Sequence, residues 1–384
     1  MPTLYFDHAA TTPVRPEVLE AMLPHWTTGF GNPSSTHEIG DRAARALADA
    51  RARVAAILGM RAGDVVFTSG GTEGNNLAVK GIAVAAALAR GARHVVTTPI
   101  EHESVLESVA ALTRLHGFEA TLVDVDGTGL LDPDAVAAHL RDDTALVSIG
   151  YANNEIGTVQ DVAAVAALTR ARRIPLHLDA VQAAGWLPLA GTGADAITIA
   201  GHKVGALPGI GALAVRGRIP IEPLLHGGGQ ERGRRSGTPD VAGAVGLATA
   251  LELAETEREE SAARLTRLRD AFIARVLADV PSARLTGHPV MRLPGTASFT
   301  FAGTSGEAVL LELERRGVVS SSGSACAAGS DEPSHVLVAA GIPADVAQTS
   351  VRFTFPHDLH EPLDAVADAV TAAVASVAAV QSGP

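Results

Sequence analysis

The chain has 384 residues, 47% of them hydrophobic, with a formal charge of −12 and a single cysteine. That length exceeds what one hydrophobic core usually supports, so two domains, or one large domain with a satellite, are expected. The acidic balance argues against nucleic acid as a partner, one cysteine excludes an intrachain disulfide, and apolar runs such as IAVAAALA at 82–89 are too short to cross a bilayer. The start MPTLYFDHAA shows no basic segment followed by a long apolar run, so no secretory signal is read and the cytoplasm is the expected compartment.

In chain order, seven short apolar runs between about residues 65 and 216 read as buried strands: DVVFTS, HVVTTP, ATLVDV, TALVSIGY, PLHLDA, AITIAG and GIGALAVR. Ala-rich helical stretches such as EGNNLAVKGIAVAAAL and VAAVAALTRARR lie between them. This alternation predicts an α/β fold with a mostly parallel sheet covered by helices on both faces. A Gly-rich stretch follows at 227–237, and its Arg cluster, ERGRR at 231–235, reads either as a pocket lining or as a solvated loop. A long helix over about 241–279, charged midway, is predicted as a connector. Beyond it, ASFTF, VVSSSG and SVRFTF with helices between them predict a smaller α+β domain. The expected division is 15–255 for the large domain, and 1–14 with 256–384 for the small one.

Ligands of such sheets gather at the carboxyl ends of the strands, and four polar sites stand there. In FTSGGTEGNN two glycines turn the chain and Thr72 opens a helix, which offers amides to a phosphate or is an ordinary capped turn. His102, in TTPIEHESVLE, is a working imidazole or a histidine near a helix start. Asp179 ends PLHLDA with Gln182 one turn on, and either caps the next helix or pairs with a ligand cation. His202 and Lys203 end AITIAGHK; a lysine partly desolvated on the floor of a cleft becomes an amine nucleophile, whereas elsewhere it is merely solvated. Together, a phosphate seat, a carboxylate for a ring nitrogen, an imidazole to lie over a ring and a Schiff-base lysine are the protein's share of pyridoxal phosphate chemistry. No metal site is read. Cys326 lies in SSGSACAAGS, residues 321–330, among neighbours too small to pack around a buried thiol, so the stretch reads as a loop meant to move.

The stretches FDHAATTP, FGNPSSTHEIG, VVFTSGGTEGNNLAVKG, EHESVLE, NNEIG, HLDAVQ, AGHK, HGGGQERGRRSGT, SSGSAC and SVRF resemble, in order and spacing, the group I cysteine desulfurases of the class V aminotransferase family. The resemblance runs from about residue 5 to 356. It implies a fold type I, pyridoxal phosphate enzyme that takes sulfur from L-cysteine, leaves L-alanine and holds the sulfur as a Cys326 persulfide. An acceptor protein in iron-sulfur cluster, thio-cofactor or tRNA synthesis would receive it. The resemblance makes Lys203 the Schiff-base lysine, stacks His102 on the cofactor ring as a proton-transfer group, and sets Asp179 against the pyridine nitrogen. Gln182 and Asn154 would meet the ring hydroxyl region, and Gly71, Thr72 and His202 the phosphate, with Thr238 reaching in from the other subunit of a homodimer. Arg352 would clamp the substrate carboxylate, aided by Asn32; its other reading is a buried strand arginine in a structural ion pair.

Two positions depart from the family pattern. Many relatives carry Ser where this chain has Ala200, and many follow the lysine with an aromatic residue and Gly-Pro-Lys where it reads VGALPG. A selenocysteine lyase or cysteine β-lyase on the same scaffold is the alternative activity. A nucleotide-binding scaffold draws little support from a glycine loop that lacks the GK[ST] ending.

Overall fold

The computed structural model describes residues 3–323 and 332–381. Its strands are β1 (Leu4–Tyr5), β2 (Val65–Thr68), β3 (His94–Thr97), β4 (Glu119–Leu122), β5 (Thr144–Gly150), β6 (Leu176–Asp179), β7 (Ala196–Ala200), β8 (Gly211–Val215), β9 (Ala283–Leu285), β10 (Thr296–Phe301), β11 (Val318–Val319) and β12 (Ser350–Thr354). Its helices are α1 (Pro16–Trp26), α2 (Glu38–Ile57), α3 (Gly71–Asn76), α4 (Ile82–Arg90), α5 (Glu103–His116), α6 (Pro133–His139), α7 (Val162–Ala171), α8 (Val241–Asp279), α9 (Gly306–Arg315), α10 (His335–Ala339), α11 (Ala344–Ala347) and α12 (Asp364–Gln381).

The seven apolar runs form one sheet in the order β2-β8-β7-β6-β5-β3-β4. Alternate side chains along a strand leave by opposite faces, and here both faces are apolar. Val65 and Phe67 of β2 and Ala212 and Ala214 of β8 enter one core, whereas Val66, Leu213 and Val215 enter the other. Helices therefore cover both sides. Only β8 runs against its neighbours, β7 and β2. The connection from β7 to β8 spans residues 201–210, too short for the dozen or more residues that a crossover between parallel strands requires.

Helix α8 has the bounds the sequence predicts and is about 58 Å long at 1.5 Å per residue. Val241, Val245, Leu247 and Leu251 of its first half are buried in the large core. Leu265, Phe272, Ile273 and Val276 of the second half join a separate core. There Phe272 meets Phe299, Phe353 and Phe355 edge-on, and the antiparallel sheet β12-β10-β9 lies against it. The N-terminal segment also belongs there: Phe6 is buried in this core and β1 pairs in parallel with β11. Among the described residues no helix is long and apolar enough to cross a membrane.

The Arg cluster after the glycines keeps Arg232 and Gly233 exposed but is tied to its neighbours by ion pairs and hydrogen bonds. Glu231 is buried and forms a bidentate ion pair with Arg51 of α2, while Arg51 also donates to Val65 O at 2.7 Å and lies 4.9 Å from the Phe67 ring centre. Arg235 pairs with Glu73 at 2.8 Å, and Arg232 reaches Val65 O at 2.5 Å. The loop is thereby pinned to β2 and α3. Removing one partner of a buried ion pair strands the other charge, so Glu231→Gln should lower the free energy of unfolding by about 3 kcal/mol, read from urea denaturation.

Candidate functional site

A cavity of about 800 Å³ opens where strands β7, β6, β5 and β3 end, between the large core and the segments that carry the small sheet. Its wall includes Gly71, Thr72, His102, Asn154, Asp179, Gln182, His202, Lys203 and Arg352, so nine predicted residues meet in one place. Asn32 and Thr238 do not line it; both are exposed, and Asn32 Oδ1 accepts from Ser34 N at 2.9 Å. Cys326 lies outside the described residues, although Gly323 before it and Glu332 after it are both on the wall.

The glycine turn after β2 lets a helix start close against the sheet. A Cβ on Gly71 would come within 2.8 Å of Val181 Cγ2, and one on Gly74 within 2.6 Å of Thr198 Cγ2. Helix α3 continues through a π-helical turn, Leu77–Gly81, into α4. One turn into α3, Asn75 donates to Asp179 Oδ2 at 2.7 Å and to Ser104 Oγ at 2.9 Å. Asp179 is 9% exposed, and its Oδ1 accepts from Val181 N at 3.0 Å. It thus caps the following turn and also lines the cavity.

The same is true of His102. It is the N-cap of α5, and its Nδ1 accepts from Ser104 N at 3.0 Å. An Nδ1 that accepts leaves Nε2 as the proton-bearing nitrogen of the neutral ring. Lys203 ends a 3-10 turn after β7; its amine donates to the carbonyls of Ala9 and, at 2.8 Å, Ala10. Gln182 donates to Ala9 O at 3.1 Å as well. His202 touches Thr11 Oγ1 at 3.2 Å, and burial, then the Lys203 charge, pushes its imidazole down to about 4. The VGALPG stretch folds back on the same N-terminal segment: Gly205 N donates to Thr12 Oγ1 at 3.0 Å and Arg15 N to Gly205 O at 3.0 Å.

Ala9 and Ala10 are therefore part of the floor of the cleft, and the rest of residues 7–12 is not on its wall. FDHAATTP marks this segment in the sequence, but nothing there assigns it a role. Three further residues carry no sequence signal beyond their neighbours: Asn75, Glu155 and Glu101. Glu155 accepts from Ser334 Oγ beside the wall. Glu101 is 4% exposed and accepts from Thr98 Oγ1 at 2.6 Å. Burial, with the Asp179 charge adding to it, pushes the Glu101 carboxyl up to about 8 against the hydrogen bonds from Thr98 and Gly150. The cavity thus keeps a neutral acid at neutral pH.

A carboxyl whose folded pKa lies above its unfolded 4.5 stabilises fully below that value and loses its contribution as pH rises toward 8. Glu101→Gln removes the loss. Its unfolding free energy should gain on the wild type between pH 5 and 8 by on the order of 1 kcal/mol per pH unit, a slope absent if Glu101 ionises normally.

The Aminotransferase class-V family profile matches residues 4–360. The chain is 44% identical over 368 residues to "Cysteine desulfurase IscS" of Dictyoglomus turgidum, covering 94% of this chain and 93% of that protein. It is 45% identical over 378 residues to the "IscS-like cysteine desulfurase" of Mycobacterium tuberculosis, covering 97% and 96%. Among solved structures, a "NifS-like protein" superposes with a TM-score of 0.87 at 33% identity over 99% of both chains. Another, from Rickettsia africae, superposes at 0.85 and 30% identity over 97% of this chain and 99% of that one. With the strand-end cavity, the profile and these relatives in agreement over nearly the whole chain, the protein belongs to the class V aminotransferase family.

Proposed function

We propose that the chain is a pyridoxal phosphate-dependent cysteine desulfurase, which converts L-cysteine to L-alanine and passes the sulfur, held on Cys326, to an acceptor protein. The observation that carries this reading is the convergence of Lys203, His102, Asp179, Gln182, His202, Thr72 and Arg352 on one cavity. The desulfurase names of the relatives point the same way.

The residues fit the cofactor. A phosphorylated pyridine aldehyde needs an amine for its aldehyde, a carboxylate for its ring nitrogen and donors for its phosphate. Lys203 and Asp179 supply the first two from the ends of adjacent strands, β7 and β6. Asn75 and Val181 N hold the Asp179 carboxylate in one orientation. Gly71, Thr72 and His202 surround the third position, with Ala200 beneath Gly71 and contributing no hydroxyl. When bound, the cofactor supplies an electron sink for the substrate carbon.

The chain's own groups then have distinct tasks. Lys203, close to the carbonyls of Ala9 and Ala10, takes and returns the proton of the substrate's α-carbon. His102, held by its Nδ1, would be among the residues that hold the ring and would carry a proton at Nε2. Arg352 receives the substrate carboxylate. The Cys326 thiolate attacks the substrate sulfur, so that a sulfur-sulfur bond forms as the carbon-sulfur bond breaks and the electron pair stays on carbon until protonation completes alanine. Cys326 is three residues from Gly323 on the wall, a span of at most about 11 Å of extended chain.

The protein acts as a cytoplasmic homodimer on this reading. Thr238 is exposed and away from its own cavity, free to serve a second copy, and Leu19, Leu23, Trp26 and Phe30 leave an apolar face exposed along and just beyond α1. Two units, 15–255 and 1–14 with 256–384, each built on its own core, would meet at the cleft.

Lys203→Ala should lose the visible absorbance of the bound cofactor and all turnover, and borohydride reduction of the wild type should tag the Lys203 peptide and no other lysine. Cys326→Ala should keep the cofactor absorbance but lose nearly all alanine and sulfide formation, and wild type treated with L-cysteine should carry one reducible extra sulfur on the Cys326 peptide. Pyruvate and ammonia from an active Cys326→Ala protein would mark a β-lyase instead.

A further inference from the structure

Arg352 has more hydrogen-bond donors than the described residues use. It stands in β12, is 1% exposed, and forms part of the cavity wall. Its Nη1 gives both hydrogens to backbone carbonyls, Asn154 O at 2.8 Å and Gly323 O at 3.0 Å. Its Nη2 gives one to Asp7 Oδ1 at 2.7 Å, and Nε is buried with no partner among the described residues. A guanidinium carries five N–H donors in a rigid fork. What is left over is Nε–H and the second Nη2 hydrogen, on two adjacent nitrogens that can grip a carboxylate together.

The cavity wall includes Arg352 but not Asp7. Asp7 is itself held: its carbonyl accepts from Tyr5 Oη at 3.0 Å and Ala10 N at 3.0 Å, and its backbone bridges to Thr354. A monodentate partner on Nη2, with two carbonyls on Nη1, stops the guanidinium from rotating about its own axis.

We infer that Asp7 is a positioning residue: it fixes the Arg352 guanidinium so that the Nε and Nη2 edge is the one offered to an incoming amino-acid carboxylate. The inference rests on the reading of Arg352 as the carboxylate clamp. It acts on binding and leaves the chemistry of the bound substrate alone.

The test compares holoenzyme carrying Asp7→Ala, Asp7→Asn or no substitution. L-cysteine turnover gives KM and kcat. Calorimetry gives the Kd of 3-mercaptopropionate, which has thiol and carboxylate but no amine, and of 1-propanethiol, which lacks the carboxylate. Asp7→Ala should raise KM and the 3-mercaptopropionate Kd about tenfold, the worth of one hydrogen bond to a charged group, with kcat and 1-propanethiol binding unchanged. Asp7→Asn keeps an oxygen acceptor in the same place and should stay near the wild type. If the alanine protein does not fold, Asp7→Ser, too short to reach Nη2, takes its place with the same expectation. Unchanged KM and Kd overturn the inference, as does a fall in both, which would make Asp7 a competitor of the ligand. Wild type that binds the acid no better than the thiol removes the clamp reading itself, and the inference with it.

Discussion

The cleft depends on the need of an extended backbone to satisfy its own polar groups. Residues 7–12 run between the two cores without a full sheet ladder, so their carbonyls and amides must find partners elsewhere. Those partners are the site. Ala9 O and Ala10 O take Lys203, Ala9 O also takes Gln182, Ala9 N goes to Thr354 Oγ1, and Thr12 N with Thr12 Oγ1 closes on His202 O. One stretch of main chain sets the positions of a lysine, a glutamine and a histidine that come from different strand ends.

Charge in the cavity is kept sparse by burial. Glu101 is held neutral by desolvation and by the nearness of Asp179, and His202 is held neutral by desolvation and by the nearness of Lys203. In each case a group that would have competed with a neighbouring charge gives up its own instead. The ionic pattern presented to a ligand is then carried by few groups, and low polarity around them strengthens each interaction.

Much of this was legible in the sequence, for identifiable reasons. Strands buried on both faces are continuous apolar runs, so β2 to β8 stand out, and the polar residue after each run is at a strand end by construction. The connector helix could be bounded because an apolar half gives way to a charged middle within one unbroken helical pattern. What could not be read depends on contacts between distant parts of the chain. Glu231 looks like a loop residue until Arg51 is known to be opposite it, and Arg352 and Asp7 are 345 residues apart. Strand β9 is three residues long with an exposed middle, too brief to show a period. His102 and Asp179 each have a capping hydrogen bond and a place on the cavity wall, and a polar residue at a strand end does not by itself tell the one from the other in a sequence.

The reach of residues 7–12 has a consequence for how the protein is made. Their partners lie at 182, 202 and 203, but also at 352 and 354. A ribosome delivers the first segment long before the last, so residues 7–12 wait, unpaired, while the large sheet is assembled. The small core, which needs Phe6 beside Phe355, cannot close before β12 has left the tunnel. Contacts of such sequence separation form late and slowly. The cleft is thus the last part of the molecule to be completed, and a nascent chain holds Lys203 without its final surroundings until its last strand is made.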